Sequence, residues 1–222
     1  MKAPRCFLAG LVLLALPSVG AEPRTIAIGD VHGCALTLDA LIRSLDIQAD
    51  DHLVFIGDYI DRGPDSKGVI DRLFALREKH TCTFLRGNHE ELMLGYLDDG
   101  EYDLWAINGG VATLESYGTV GNGSVIPDEH IEFIRETKMC LETDEFFFVH
   151  AGLRPGLTIA ENLEEGDEMV FLWERGHLKA TDLPWEKTVV CGHTPVPEPM
   201  DTEKLINIDT GCVFYTHPSL GH

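Results

Sequence analysis

Five short strings set Asp, His or Asn beside glycine: Gly29-Asp30-Val31-His32-Gly33, Gly57-Asp58-Tyr59-Ile60-Asp61-Arg62-Gly63, Arg86-Gly87-Asn88-His89-Glu90, Val149-His150-Ala151-Gly152 and Cys191-Gly192-His193-Thr194-Pro195. Glycine lets the backbone turn sharply, so that neighbouring side chains can converge on one point. One such string alone reads as ordinary turn chemistry, an Asp shaping a bend or capping a helix. Five strings that each follow an apolar run do not. Asp30, His32, Asp58, Asn88, His150 and His193 are therefore candidate metal ligands. Mixed carboxylate, imidazole and amide donors suit Mn²⁺, Fe or Zn²⁺, whereas an all-oxygen set would suit Mg²⁺ or Ca²⁺ and thiolates structural zinc. Six ligands with one shared carboxylate make a two-metal site. Two dications about 3.5–4 Å apart can share a water and lower its pKa.

Such ligands need rigid elements that end at one place. Thr25 to Ile28, Leu53 to Ile56 and Cys82 to Leu85 are short apolar or β-branched runs, as expected of strands buried on both faces. Ala35 to Leu45 and Ser66 to Leu76 carry apolar residues at helical spacing. Alternation of this kind implies βαβ units, and an open α/β sheet places ligands at the carboxyl ends of its strands. The segment from Glu90 to Glu136 is mostly helical in period, broken at Gly109-Gly110 and over Gly118 to Pro127. Strand-like runs return at Phe146 to Val149, Thr188 to Cys191, Leu205 to Ile208 and Val213 to Tyr215. The acidic stretch Glu161 to Glu168 reads as a solvated loop, and the apolar residues of Leu104 to Gly110 are expected to face inward.

A length of 222 residues with 44% hydrophobic content suits one well-buried domain. The formal net charge of −20 argues against a nucleic-acid partner, which would need clustered Lys and Arg. Lys2 and Arg5, the apolar stretch Phe7 to Leu16 and the small residues Val19-Gly20-Ala21 read as a secretory leader over residues 1–21. Its apolar core is short for a membrane span, which needs roughly 20 residues. The reading places residues 22–222 in the mature domain, exported to the periplasm or beyond, with no span left after cleavage; a non-functional leader would leave the protein cytoplasmic. Outside the leader, Cys34, Cys82, Cys140, Cys191 and Cys212 form no C-x-x-C pair and read as buried small hydrophobes, while an exported chain permits a disulfide whose pairing the sequence does not specify.

The strings Gly-Asp-Val-His-Gly, Gly-Asp-Tyr-Ile-Asp-Arg-Gly and Leu-Arg-Gly-Asn-His-Glu, followed by His150-Ala-Gly and Gly-His193, resemble the metallophosphoesterase superfamily. Within it they most resemble the phosphoprotein phosphatase family in its small bacterial serine/threonine form. The resemblance runs in order from Asp30 to Gly211. It implies a four-layer α/β/β/α sandwich with two mixed sheets in a calcineurin-like metallophosphoesterase domain. It also implies that Asp30, His32 and Asp58 hold one metal, with Asp58 bridging to a second held by Asn88, His150 and His193. A metal-bridging hydroxide would then be the in-line nucleophile, His89 the general acid and Asp61 the group that holds the His89 tautomer. Manganese is the first choice for both ions, with Fe or Zn²⁺ as alternatives.

Arg62, inside the second string, is the leading candidate to grip phosphoryl oxygens, because a planar guanidinium makes bidentate contacts that strengthen as charge builds. Arg175 resembles the Trp-x-Arg element of bacterial family members. Arg86 and Arg154 read equally well as structural ion pairs. The expected substrate is a phosphoprotein or phosphopeptide bearing phosphoserine or phosphothreonine, and phosphotyrosine besides, acted on by a monomer. The alternative is a symmetrical dinucleoside tetraphosphate hydrolase on the same metal site. Those enzymes typically lack the second-string aspartate and carry aspartate after the motif histidine, whereas Asp61 and Glu90 are both present. Family members also continue into another strand beyond the position of Tyr215, so the C-terminal edge is expected to be truncated or left open.

Overall fold

The computed structural model describes residues 14–15, 24–120 and 123–221. Period-two apolar patterning builds its centre. In β2 (Thr25–Ile28) and β3 (His52–Phe55), Ile26, Ile28, Leu53 and Phe55 point to one core, while Ala27 and Val54, with Ile56 just beyond β3, point to another. In β6 (Phe146–Val149), Phe146 and Phe148 share that second core, while Phe147 and Val149 face a third. Two sheets therefore stack through the middle core, with helices over each outer face, and the expected four-layer sandwich is present.

The first sheet has the order β1-β2-β3-β4, with β1 at Leu14–Ala15 and β4 at Thr81–Phe84. Strands β2, β3 and β4 are parallel, joined by α1 (Ala35–Ser44) and α2 (Ser66–Arg77) as crossovers. Only Leu14–Ala15 (β1) of the expected leader is described, as backbone paired antiparallel with β2; the rest of that reading lies outside the described residues. The second sheet has the order β5-β6-β7-β9-β8, from Cys140–Glu142, Phe146–Val149, Thr188–Cys191, Leu205–Asn207 and Met200–Asp201. Its inner strands are parallel and both edge strands antiparallel, so both sheets are mixed. Among the described residues no helix is long and apolar enough to cross a membrane.

Two expectations are corrected. Val213 to Tyr215 is not a strand: Cys212–Phe214 forms a 3₁₀ turn after Gly211, whose φ of 76° swings the chain out of line. Both ladder positions beside β9 are already taken, by β7 and β8. The acidic stretch is not a loop. Thr158 and Glu161 form a capping box that starts α7 (Ile159–Glu165), left-handed Gly166 ends it, and Asp167 caps α8 (Glu168–Trp173). Ile159, Val170 and Phe171 are buried against the second sheet, and this burial offsets the exposure of the acidic faces.

Candidate metal centre and acid dyad

All five strings lie at the carboxyl ends of β2, β3, β4, β6 and β7, on one rim of the sandwich. The backbone there is bent beyond what side chains prefer. Among the described residues the non-glycine positions with positive φ are His32, Asp58, Asp61, Arg62 and His193, every one a predicted site residue. Conformations of this kind cost of order 1–3 kcal/mol each and persist only where surroundings enforce them. Here the enforcement is visible. The Val31 and His32 N–H groups donate to Asp58 O at 3.0 and 2.8 Å, and Gly33 N–H donates to Tyr59 O at 2.8 Å. The buried Glu90 carboxylate accepts from the N–H groups of Asp58 (2.8 Å), Tyr59 (2.9 Å) and Gly87 (2.9 Å), clamping the second turn to the third. A Cβ on Gly87 would lie 2.1 Å from Asp58 Oδ1 and 2.4 Å from Asp58 N, so only glycine fits. Gly87→Ala is accordingly expected to cut bound metal severely and to lower Tm by several degrees; elemental analysis and a thermal melt check both, and wild-type metal content would refute it.

Asp58 faces two ways. Its Oδ2 lies 3.4 Å from His32 Nε2, and its Oδ1 lies 3.4 Å from His150 Nε2. Asn88 Oδ1 sits 3.0 Å from His150 Nε2 and 2.8 Å from His193 Nδ1. Two clusters result, His32/Asp58/His89 and Asp58/His150/His193, and they share Asp58. Asp30 stands behind, its carboxylate accepting from His193 N–H at 3.1 Å. The backbone carbonyls of Ile60 and Ile56 accept from the Nδ1 atoms of His32 and His150, each at 2.9 Å, and so leave each Nε2 lone pair toward the cluster. Burial pushes the carboxyls of Asp30 and Asp58 well up, and the charges of Asp209 and Glu90, respectively, add most to that push. Burial pulls His32 down and His150 down to about 3, so both imidazoles are neutral. Neutral imidazoles, an amide oxygen and crowded carboxylates that repel one another form a donor set suited to two divalent cations.

Beside this cluster, His89 Nδ1 is 2.7 Å from Asp61 Oδ2, both fully buried. His89 Nε2 is buried with no hydrogen-bond partner and lies 4.0 Å from Asp58 Oδ2. Two guanidinium groups reach the cluster: Arg62 Nη1 is 2.7 Å from His32 Nε2, and Arg175 Nη2 is 2.8 Å from His193 Nε2. Each sets charged donors against an imidazole of the cluster.

The calcineurin-like phosphoesterase family model matches residues 23–217. The chain belongs to this family. It is a metallophosphoesterase, a metal-dependent phosphatase by class. Serine/threonine-protein phosphatase 1 of Salmonella typhimurium is 31% identical over 198 residues, covering 84% of this chain and 86% of the relative. A bis(5'-nucleosyl)-tetraphosphatase PrpE [asymmetrical] of Oceanobacillus iheyensis is 29% identical over 210 residues, covering 84% of this chain and 83% of the relative. Among solved structures, the cold-active protein-tyrosine phosphatase of a psychrophile Shewanella species shares the fold, with a TM-score of 0.65 at 18% identity over 87% of this chain and 73% of that one.

Not every arginine of this metallophosphoesterase faces the centre. Arg86 is spent on Glu91 and Thr137, and Arg154 on Glu165 and Asp167, so both are structural ion pairs. Sequence reasoning missed the parts that Glu90, Asp209, Trp105 and Thr113 play. Glu90 holds the turns together. Asp209 is a buried carboxyl, pushed up to about 6 by burial, whose charge presses on Asp30. Of the apolar residues of Leu104 to Gly110 expected to face inward, Leu104 and Ile107 are exposed, while Trp105 is fully buried and aims its indole N–H at Asp61. The strand-end position of Asp209, after Leu205 to Ile208, was the signal available for it.

Proposed function

We propose that the protein is a dinuclear phosphomonoesterase of the serine/threonine protein phosphatase type, active on phosphotyrosine besides, with Asp30, His32 and Asp58 at one metal and Asp58, Asn88, His150 and His193 at the other. The observation that carries the phosphomonoesterase reading is the Asp61–His89 pair, whose free Nε2 is buried beside the ligand cluster. Two divalent cations, Mn²⁺ first, supply Lewis acidity and lower the pKa of the attacking water when bound. Arg62 and Arg175 grip the phosphoryl oxygens with charge-assisted hydrogen bonds. Burial and the Arg62 charge pull the His89 imidazole well down in the empty site; once protonated in the complex with an anionic phosphate ester, His89 gives its Nε2 proton to the leaving alkoxide while Asp61 holds Nδ1–H and steadies the imidazolium. A phosphoserine leaves as a poor alkoxide, and that is the kind of leaving group for which a positioned acid matters most. The reading also keeps the leader, with the substrate outside the cytoplasm.

A second reading, a dinucleoside tetraphosphate hydrolase, is favoured by the PrpE relative, similar over most of both chains. Phosphate release by Mn²⁺-reconstituted protein from phosphoserine, phosphothreonine and phosphotyrosine peptides, set against cleavage of diadenosine tetraphosphate at equal concentration, separates the two. Faster release from peptides is the expected result. Faster dinucleotide cleavage would replace the first reading by the second.

A further inference from the structure

The segment that follows α3 (Asn88–Asp99) carries α4 (Tyr102–Trp105), a wide π-type turn at Ala106–Gly110 and α5 (Val111–Ser116). It belongs to neither sheet, yet it meets the second string at three points. Trp105 Nε1–H donates to Asp61 Oδ2 at 2.9 Å and Oδ1 at 3.1 Å. Thr113 Oγ1–H donates to Asp61 Oδ1 at 2.6 Å and accepts from Asp61 N–H at 2.9 Å. Gly109 O accepts from the Arg62 N–H at 3.2 Å. Trp105 and Thr113 are both fully buried. Gly110 lets the indole lie where it does, since a Cβ there would stand 2.4 Å from the ring.

We infer that Trp105 and Thr113 are positioning residues for proton donation: through Asp61 they set the orientation of the His89 ring. The inference rests on the acid role proposed above for His89. A carboxylate with a left-handed backbone and no other anchor could rotate about its Cα–Cβ and Cβ–Cγ bonds. Three side-chain hydrogen bonds from the two donors leave it one orientation, with Oδ2 toward His89 Nδ1. The imidazole is thereby turned so that Nε2 points beside Asp58. Neither residue touches the ligand cluster or the place for the phosphoryl group, so neither should influence metal or substrate affinity. The same three-point contact explains why the segment has two short helices and a kink rather than one long helix. Glycine at φ 109° in position 109 is needed to bring a carbonyl, an indole and a hydroxyl onto adjacent residues.

The test compares Thr113→Val, which keeps shape and loses the hydroxyl, Thr113→Ser, which keeps the hydroxyl, and Trp105→Phe, each in the full Mn²⁺-loaded chain. For Thr113→Val and Trp105→Phe, kcat on a phosphoserine peptide should fall about tenfold or more, kcat on p-nitrophenyl phosphate less than about threefold, and KM by no more than about twofold either way, since an aryl oxide needs little protonation. Thr113→Ser should stay within about threefold of wild type on both substrates. Equal losses on the two substrates, or a Thr113→Ser variant as poor as Thr113→Val, would overturn the inference. An independent readout is the downfield proton NMR signal of His89 Nδ1–H in the metal-free protein, expected to vanish in Thr113→Val and persist in Thr113→Ser. Its persistence in Thr113→Val also overturns the inference. Absence of wild-type turnover on every phosphomonoester would instead sink the proposed function, leaving the NMR comparison to decide the role of Thr113 by itself.

Discussion

Asp58→Asn is expected to abolish turnover, by on the order of a thousandfold or more, and to weaken binding of both metals together. The reason is positional. One oxygen of this carboxylate faces His32 and the other faces His150, so a single side chain serves both halves of the cluster. An amide keeps the shape and one acceptor but removes the charge and presents N–H₂ to one half. Stability should move the opposite way. Burial and the charge of Glu90 push the Asp58 carboxyl well up in the folded chain, so the ionised form opposes folding when no cation is bound. For an acid whose pKa is raised on folding, stability falls as pH climbs from the unfolded value, about 4, toward the folded one. The metal-free variant should therefore melt at or above the wild-type temperature at neutral pH, with the difference shrinking as pH drops toward about 4. Metal titration, phosphate release and paired melts check all three statements. Turnover near wild type, or loss of only one metal site, would defeat the bridging assignment.

His89→Asn should behave differently. Neither cluster half is built on this ring alone, because its Nδ1 is committed to Asp61, so both metals should stay bound. Turnover of a phosphoserine peptide should drop roughly 10²- to 10⁴-fold, the usual contribution of a general acid. Turnover of p-nitrophenyl phosphate should drop only about tenfold, because its leaving group is already stable as an anion. Equal losses on both esters, with metal content unchanged, would remove the acid role; loss of a metal would recast His89 as a ligand, as its place beside His32 and Asp58 also allows.

Much of the centre was legible before any coordinates. The strings Gly29 to Gly33, Gly57 to Gly63 and Arg86 to Glu90 announce sharp turns after apolar runs, and turn chemistry is local: the glycines and short polar side chains that make it are adjacent in the chain. The strands are legible for the same reason, since alternate residues of Thr25 to Ile28 and Phe146 to Val149 must face opposite ways whatever they pack against. The helices at Ile159–Glu165 and Glu168–Trp173 were not, because eight residues dominated by acids give only a few apolar positions per turn, and the buried partners that reward them lie on the second sheet. Val213 to Tyr215 has strand-like composition, but whether a ladder position is free for it depends on β8 and β9.

The sequence alone determined the candidate ligand types, their order and the rim on which they gather, because each depends on residues within a few positions of one another. Tertiary structure decided what the two arginines left open by the sequence do. Arg62, Arg86, Arg154 and Arg175 all lie in or near motif strings, yet only Arg62 and Arg175 reach the cluster, while Arg86 and Arg154 are captured by neighbouring carboxylates. The same holds for Trp105, whose spacing says that it points inward but not that its N–H will find Asp61 across 44 positions of sequence. A side chain's chemistry is written at its own position. Its partner is set by how two stacked sheets and a kinked segment bring distant turns together, and that is a property of the packed core.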